Sequence, residues 1–345
     1  MKTLKAAVIG CGARGRDHCA AYAQLEGVKL AACADPDAAK AQALAEEFGL
    51  HAYSSVDEML AKELSDIVSI TTYPNVRLGL MKKVSEKGVP LCLVEKPLAT
   101  GVRDWRELCE LEASSKTKFA VSHQVRWHKD LARCAEALRS GRLGKVLFLD
   151  LSAGMNISGQ GTHTLNYGML LNADSPVKTV FGSAQGWDRE DKSHPAPLTT
   201  EAMLTFENGV RALWTSGSVS PRTGDPEMFW QHVHVAAYAE TGRVNYEEFG
   251  DWQIVEGSKV EAGNYGGMDA WKANNCDAQM RLQQALVDWL ENPAKIPGTN
   301  LKQSLHEWAV VLALYQSALE GRPVDLKDFN PPENLVELYQ AKANL

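Results

Sequence analysis

No Cys-x-x-Cys pair occurs in this sequence, no block of like charge stands out, and no apolar stretch approaches the ~18 residues of a membrane span. Each absence excludes something. The seven cysteines, at positions 11, 19, 33, 92, 109, 134 and 276, are odd in number and scattered, so they do not read as a disulfide framework. Several lie in apolar runs, where a thiol behaves as a small hydrophobe, and a reducing cytoplasm is the expected compartment. A formal net charge of −7 argues against non-specific nucleic-acid binding, which needs a basic surface. The N-terminal residues lead straight into a short apolar run ended by glycines, without a signal-peptide h-region or twin arginine. The expectation is a cytoplasmic protein, not held in a membrane, whose partner is a small molecule.

What is present is organised in two halves, and 345 residues suit two domains better than one. Up to about residue 122, short apolar runs (Leu4–Ile9, Val28–Ala34, Ile67–Thr71, Pro90–Val94, Phe119–Ser122) alternate with amphipathic segments. Asp37–Phe48 is stopped by Gly49, Asn75–Lys87 is stopped by Gly88, and Ser55-Val-Asp-Glu58 has capping-box spacing. That alternation predicts a parallel sheet covered on both faces. Beyond it, the strand Val146–Ala153 and a helix over Thr162–Leu171 precede longer alternating runs: Thr179–Trp187, Glu201–Phe206, Val210–Gly217, Trp230–Ala237 and Arg243–Tyr246. Asn208-Gly209 between two of them is a hairpin signal. Helices are predicted again at Ala278–Asn292, Ser304–Leu319 and Glu333–Ala343.

Gly10-Cys-Gly12-Ala13-Arg14-Gly15 has the G-x-G-x-x-G spacing directly after a strand and opening a helix. The first glycine permits the tight turn, the second lets backbone approach a pyrophosphate, and the third lets helix and strand pack closely. The helix N-terminus offers N–H groups and a positive dipole end to phosphates. Asp35 follows about 20 residues after the third glycine, where a carboxylate accepts from ribose hydroxyls and repels a 2′-phosphate, favouring NAD. Arg14 and Arg16 keep NADP open, since they suit either phosphate contacts or solvated positions at the helix start.

Glu95-Lys96-Pro97 follows the apolar run Leu91 to Val94, at the carboxyl end of a strand where open α/β sheets bind ligands. Lys96 there suits orienting a substrate hydroxyl; pairing with Glu95 or snorkelling outward is the bland alternative. The tripeptide together with the glycine loop, Gly15-x-x-His18, Asp35-Pro36, Tyr73-Pro74-Asn75, Arg126 in Val-Arg-Trp-His, and Ser140-Gly141-Arg-Leu-Gly144 resembles the glucose–fructose oxidoreductase / inositol dehydrogenase (Gfo/Idh/MocA) family over almost the whole chain. The resemblance implies an N-terminal Rossmann domain, residues 1–123. It also implies a substrate and oligomerisation α+β domain, residues 124–345. The second domain would carry an open, mostly antiparallel sheet flanked by helices, its C-terminal helices packing back toward the first.

It further implies NAD held by Gly10, Gly12, Ala13, Arg14, Gly15, Asp35, Thr72, Pro74, Asn75, Glu95 and Lys96, with Lys96 and His163 catalytic. Arg126, Gln160, His163, Asn166 and Tyr167, with Lys96, are the substrate candidates. The family's second signature, Asp-x-Gly-x-His, reads Gly159-Gln160-Gly161-Thr162-His163 here, and a second frequent aspartate position holds Asn166, so a carboxylate is missing. His163, Asn166, Tyr167 and Leu170 share one helix face, and a histidine base there would titrate near neutrality. His232 and His234 point to one face of a strand without a visible third metal ligand, so no metal is expected. Trp187, Trp214, Trp230 and Trp252 suit sheet core or a subunit interface. The reaction implied is hydride transfer between NAD(P) and a secondary alcohol of a sugar, cyclitol or sugar derivative, in a homodimer or homotetramer. The alternatives are glycoside cleavage by transient oxidation and elimination, and a non-catalytic NAD-binding sensor or partner subunit.

Overall fold

The computed structural model describes residues 3–188, 191, 193–220, 226–264 and 266–343. Backbone proximity divides the chain into two compact units. The first comprises residues 1–99, 106–124 and 275–304; the second comprises 100–105, 125–274 and 305–345. No helix among the described residues is long and apolar enough to cross a membrane.

The first unit runs β1 (Leu4–Ile9), α1 (Ala13–Tyr22), β2 (Val28–Ala34), α2 (Ala38–Phe48), β3 (His51–Tyr53), α3 (Val56–Lys62), β4 (Ile67–Ile70), α4 (Pro74–Glu86) and β5 (Leu91–Val94). After α5 (Val102–Ser114), β6 (Lys118–Val121) completes a six-stranded parallel sheet ordered β3-β2-β1-β4-β5-β6. Every residue of β4 and β5 is buried, which is why these strands read as unbroken apolar runs. Local signals set the helix ends. Asp37 accepts from the N–H groups of Ala39 and Lys40, Gly49 closes α2 at φ +70°, and Ser55 accepts from Glu58 N–H. The outer edge of β6 is covered by the returning chain: Val121 N–H donates to Thr299 O at 2.8 Å, and Ala120 bridges Asn300. That closure satisfies a sheet edge that would otherwise be unpaired.

In the second unit, α6 (Lys129–Arg139) leads to β7 (Val146–Ala153), a π-helical turn at Ile157–Gly161 and α7 (Thr162–Leu171). The strands β8 (Val177–Gln185), β9 (Thr199–Phe206), β10 (Arg211–Gly217), β11 (Val233–Ala239), β12 (Gly242–Glu247), β13 (Asp251–Glu256) and β14 (Lys259–Asn264) follow. Helices α8 (Met268–Glu291) and α9 (Leu301–Glu320) follow, their residues 275–304 belonging to the first unit, then the short β15 (Val324–Asp325) and α10 (Leu335–Ala343). The nine-stranded sheet is ordered β14-β13-β12-β11-β7-β10-β9-β8-β15, with only β7 and β10 parallel. Asn208-Gly209 does turn the β9–β10 hairpin, with Gly209 at φ +87°. The strand expected from Trp230 begins at Val233; Trp230 lies in a 3-10 segment, Pro226–Gln231. Helix α7 packs on the inner face so closely that a Cβ on Gly168 would stand 2.7 Å from a Leu151 methyl. Trp214, buried beneath it, donates its indole N–H to Gly161 O and Thr164 Oγ1, both at 3.1 Å. On the other face Phe181, Met203 and Leu213 stand side by side in register and exposed.

Candidate active site

The strand order of the first unit reverses between β1 and β4, and ligands of such sheets bind beyond the carboxyl ends of strands at that point. The glycine loop lies there. Gly10 sits at φ +96°, and its N–H donates to Ala34 O at 2.8 Å. A Cβ on Gly15 would fall 2.1 Å from Gly10 O, so only glycine lets α1 start this close to the β1 turn. Gly12 differs: a Cβ there would meet nothing within 4 Å, and no side chain caps the first turn of α1. Open space beside uncapped helix N–H groups is what a pyrophosphate needs, so the loop fits a dinucleotide. Asp35, at the end of β2, accepts from Cys11 N–H at 2.8 Å on one carboxylate oxygen and from Asp37 N–H at 2.9 Å on the other. Each oxygen keeps a second lone pair, so the carboxylate braces the loop and still has acceptor capacity for a ribose.

Arg16 forms a surface pair with Glu47. Arg14 instead reaches Glu95, donating from Nε at 3.0 Å and Nη2 at 2.7 Å, and also pairs with Asp17 at 2.8 Å and Gln279 Oε1 at 3.1 Å. The same Glu95 oxygen receives His18 Nε2 at 3.1 Å. Burial alone would raise the Glu95 pKa, but Arg14 and His18 hold it well below the ordinary value. Burial pulls His18 below its ordinary value despite Glu95. In this bond His18 Nε2 is the donor, because an ionised carboxylate only accepts. Lys96, half-buried, follows immediately; the peptide joining it to Pro97 is cis. Thr72, Pro74 and Asn75 lie just past β4, with Pro74 opening α4.

Two residues of this region escaped the sequence reading. Arg77, in the first turns of α4, donates to Thr72 O and to Pro97 O. Gln279, on α8, joins the Arg14 cluster from 265 residues away, a distance no local motif spans.

In the second unit Asn156 caps the π-helical turn, its Oδ1 accepting from Gly159 N–H at 2.8 Å. A Cβ on Gly159 would stand 3.2 Å from the Met155 side chain and 3.3 Å from Asn156 Oδ1, so the packing favours glycine where an aspartate was missed. Gln160 accepts from Met155 N–H at 3.1 Å and donates to Trp230 O at 2.5 Å, joining the turn to the 3-10 segment. His163 is buried, its ring stacked on Tyr167 with centroids 5.8 Å apart. Arg126 and Asn166 come together: Arg126 donates to Asn166 O at 3.1 Å and to Asp174 at 2.5 Å. Asn166 Nδ2 in turn donates to Glu307 Oε1 at 2.6 Å. Glu307, on α9 and buried, supplies a carboxylate beside the α7 face that sequence motifs did not announce. His232 hydrogen-bonds with Ser152 Oγ at 2.5 Å and His234 donates to Glu247 at 2.6 Å. Among the described residues no group of three or more His, Cys, Asp or Glu side chains could hold a metal.

Residues 4–123 match the model of a family described as an oxidoreductase family with an NAD-binding Rossmann fold (GFO_IDH_MocA). The chain is 25% identical to the D-apiose dehydrogenase of Paraburkholderia graminis, over 95% of its own length and 91% of the relative's. The family match thus falls on the NAD-binding Rossmann part of the chain, residues 4–123. The chain is also 31% identical to an inositol 2-dehydrogenase of Pseudarthrobacter chlorophenolicus, across 43% of the chain and 44% of the relative. Its fold matches an oxidoreductase from Agrobacterium radiobacter solved with NAD+, L-tartaric acid and magnesium, with a TM-score of 0.80 at 19% identity. That match covers 95% of this chain and 99% of the other. The chain is an NAD-dependent oxidoreductase, and its glycine loop is the part that fits the cofactor.

Proposed function

We propose that this enzyme transfers a hydride between NAD and a secondary alcohol of a sugar, cyclitol or sugar derivative, with Lys96 and His163 handling the hydroxyl proton. The observation that carries the reading is the position of Lys96. It follows β5 at the carboxyl edge of the sheet, next to a buried Glu95 that Arg14 and His18 already occupy. In this reading the Lys96 ammonium donates to the substrate hydroxyl oxygen and favours the alkoxide. His163, stacked on Tyr167 and so fixed in orientation, takes the proton. NAD, when bound, supplies the hydride acceptor. The Asp35 carboxylate favours NAD over NADP by repelling a 2′-phosphate. The relatives named for D-apiose and inositol oxidation support a polyhydroxylated alcohol as substrate.

The test is NADH formation at 340 nm from NAD+ with a panel including D-apiose and myo-inositol, followed by Lys96→Ala and His163→Ala on any substrate found. Each substitution is expected to lower kcat/KM by roughly 10²–10⁴-fold, the usual worth of a positioned acid or base. A Lys96→Ala protein of undiminished activity would end this mechanism.

A further inference from the structure

The geometry points to Arg77 as a positioning residue that ties the cofactor loop after β4 to the catalytic lysine after β5. This rests on the reading of Lys96 given above. The adjacent strands β4 and β5 pair from Ile67↔Leu91 to Ile70↔Val94, and Glu95 N–H donates to Ile70 O at 3.0 Å. Past that bond the two chains part, one into Thr72–Asn75 and the other into Lys96–Pro97. Arg77 spans the gap. Its Nε and Nη2 donate to Thr72 O at 2.9 and 2.5 Å, and its Nη1 donates to Pro97 O at 2.5 Å.

The Lys96 backbone is consequently held from both sides. Before it, Glu95 is gripped by Arg14 and His18; after it, the Pro97 carbonyl is gripped by Arg77. Arg77 is an expensive tie. Only 5% of it is exposed, and the hydrogen-bond partners of its guanidinium are carbonyls rather than a carboxylate. Burial pushes its pKa down to about 10, with Glu95 opposing through space. A buried cation whose hydrogen bonds go to carbonyl dipoles gains little for stability. Its planar fork does what a point charge cannot, meeting two carbonyls of two different loops at once. A displacement of about 1 Å at a reacting group can cost roughly 10²-fold in rate, so the spacing that Arg77 sets reaches the chemistry.

The experiment compares wild type, Arg77→Gln and Arg77→Lys by trace acetylation with acetic anhydride, reading Lys96 against exposed Lys87 by peptide mass spectrometry, with and without saturating NAD+. In the wild type NAD+ protects Lys96. In Arg77→Gln, NAD+ still binds through the glycine loop and Asp35, with Kd by titration calorimetry raised less than about tenfold, while the protection of Lys96 is lost and kcat falls by roughly 10²-fold. Arg77→Lys keeps the charge without the fork and is expected to lose the protection too, which keeps the test open if the glutamine variant does not fold. Protection equal to wild type in a folded, NAD+-saturated Arg77 variant overturns the inference. A wild-type Lys96 that NAD+ leaves unprotected instead overturns the assignment of Lys96 to the cofactor site, and the inference falls with it.

Discussion

Glu95 shows how one side chain can be legible in sequence while its partners are not. The sequence places it with Lys96 at the end of β5, and in the fold its carboxylate is buried and gripped by Arg14 and His18. Nothing local announces that Arg14, two residues past Gly12, reaches 81 positions along the chain. Asp35 was legible as an acceptor, whereas its bond from Cys11 N–H depends on how tightly the loop closes. Glu95→Gln would strip Arg14 of a partner and is expected to cost about 2 kcal/mol at pH 7 by urea unfolding. That lies below the usual cost of breaking a buried pair, because a third of the Arg14 side chain stays in water. The pH dependence has a definite sign. The Glu95 pKa is depressed in the fold, so its contribution is full above the ordinary value of 4.5 and is lost as pH falls through the folded value. The stability gap between wild type and Glu95→Gln should therefore close on acidification below 4.5; a gap independent of pH would contradict the assignment.

Elements with a strong period were readable and elements at edges were not. Buried β4 and β5 emerge from composition alone, but β3 is three residues, two exposed and one half-buried, and β14 is exposed along most of its length. An exposed edge strand carries no alternation to read. Helix α8 begins at Met268 rather than Ala278, because its buried residues start only at Ala278. The π-helical turn before α7 was likewise invisible, although it explains Gly159. Gly159→Asp, which restores the expected carboxylate, should destabilise by about 1–3 kcal/mol by crowding Met155 and Asn156, and should not raise activity. A more active, equally stable variant would show that the turn accommodates the carboxylate. Across the β11–β12 pair, His234 faces Glu247. Burial opposes charge on His234, but Glu247 prevails and raises its pKa above 6.5. The stabilisation is then full below 6.5 and is lost as pH rises through the folded value. Melting temperatures of wild type and Glu247→Gln are expected to differ at pH 6 and converge at high pH; a difference that widens with pH would reverse the sign and refute the pairing.

At the scale of the molecule, the two kinds of sheet and their order along the chain followed from the change of pattern near residue 122. The membership of residues 275–304 in the first unit did not follow, since it rests on long-range bonds: Lys118 Nζ to Trp289 O at 2.5 Å, Val121 N–H to Thr299 O, and Gln283 Nε2 to His18 O at 3.3 Å. A fragment of residues 1–124 is accordingly expected to lack cooperative unfolding and NAD+ binding, and a version with 275–304 joined to it by a flexible linker to regain both. Cooperative melting of 1–124 alone, by circular dichroism, would deny the returning segment that role. The same returning segment sets a schedule for synthesis. After residue 124 leaves the ribosome, 180 more must be made before residue 304 arrives (304 − 124), which at ~5–20 residues per second takes on the order of 10–40 s. For that interval the β6 edge of the nascent sheet is open to any strand that meets it, so the interval of greatest aggregation risk falls during translation, well before the finished protein meets NAD.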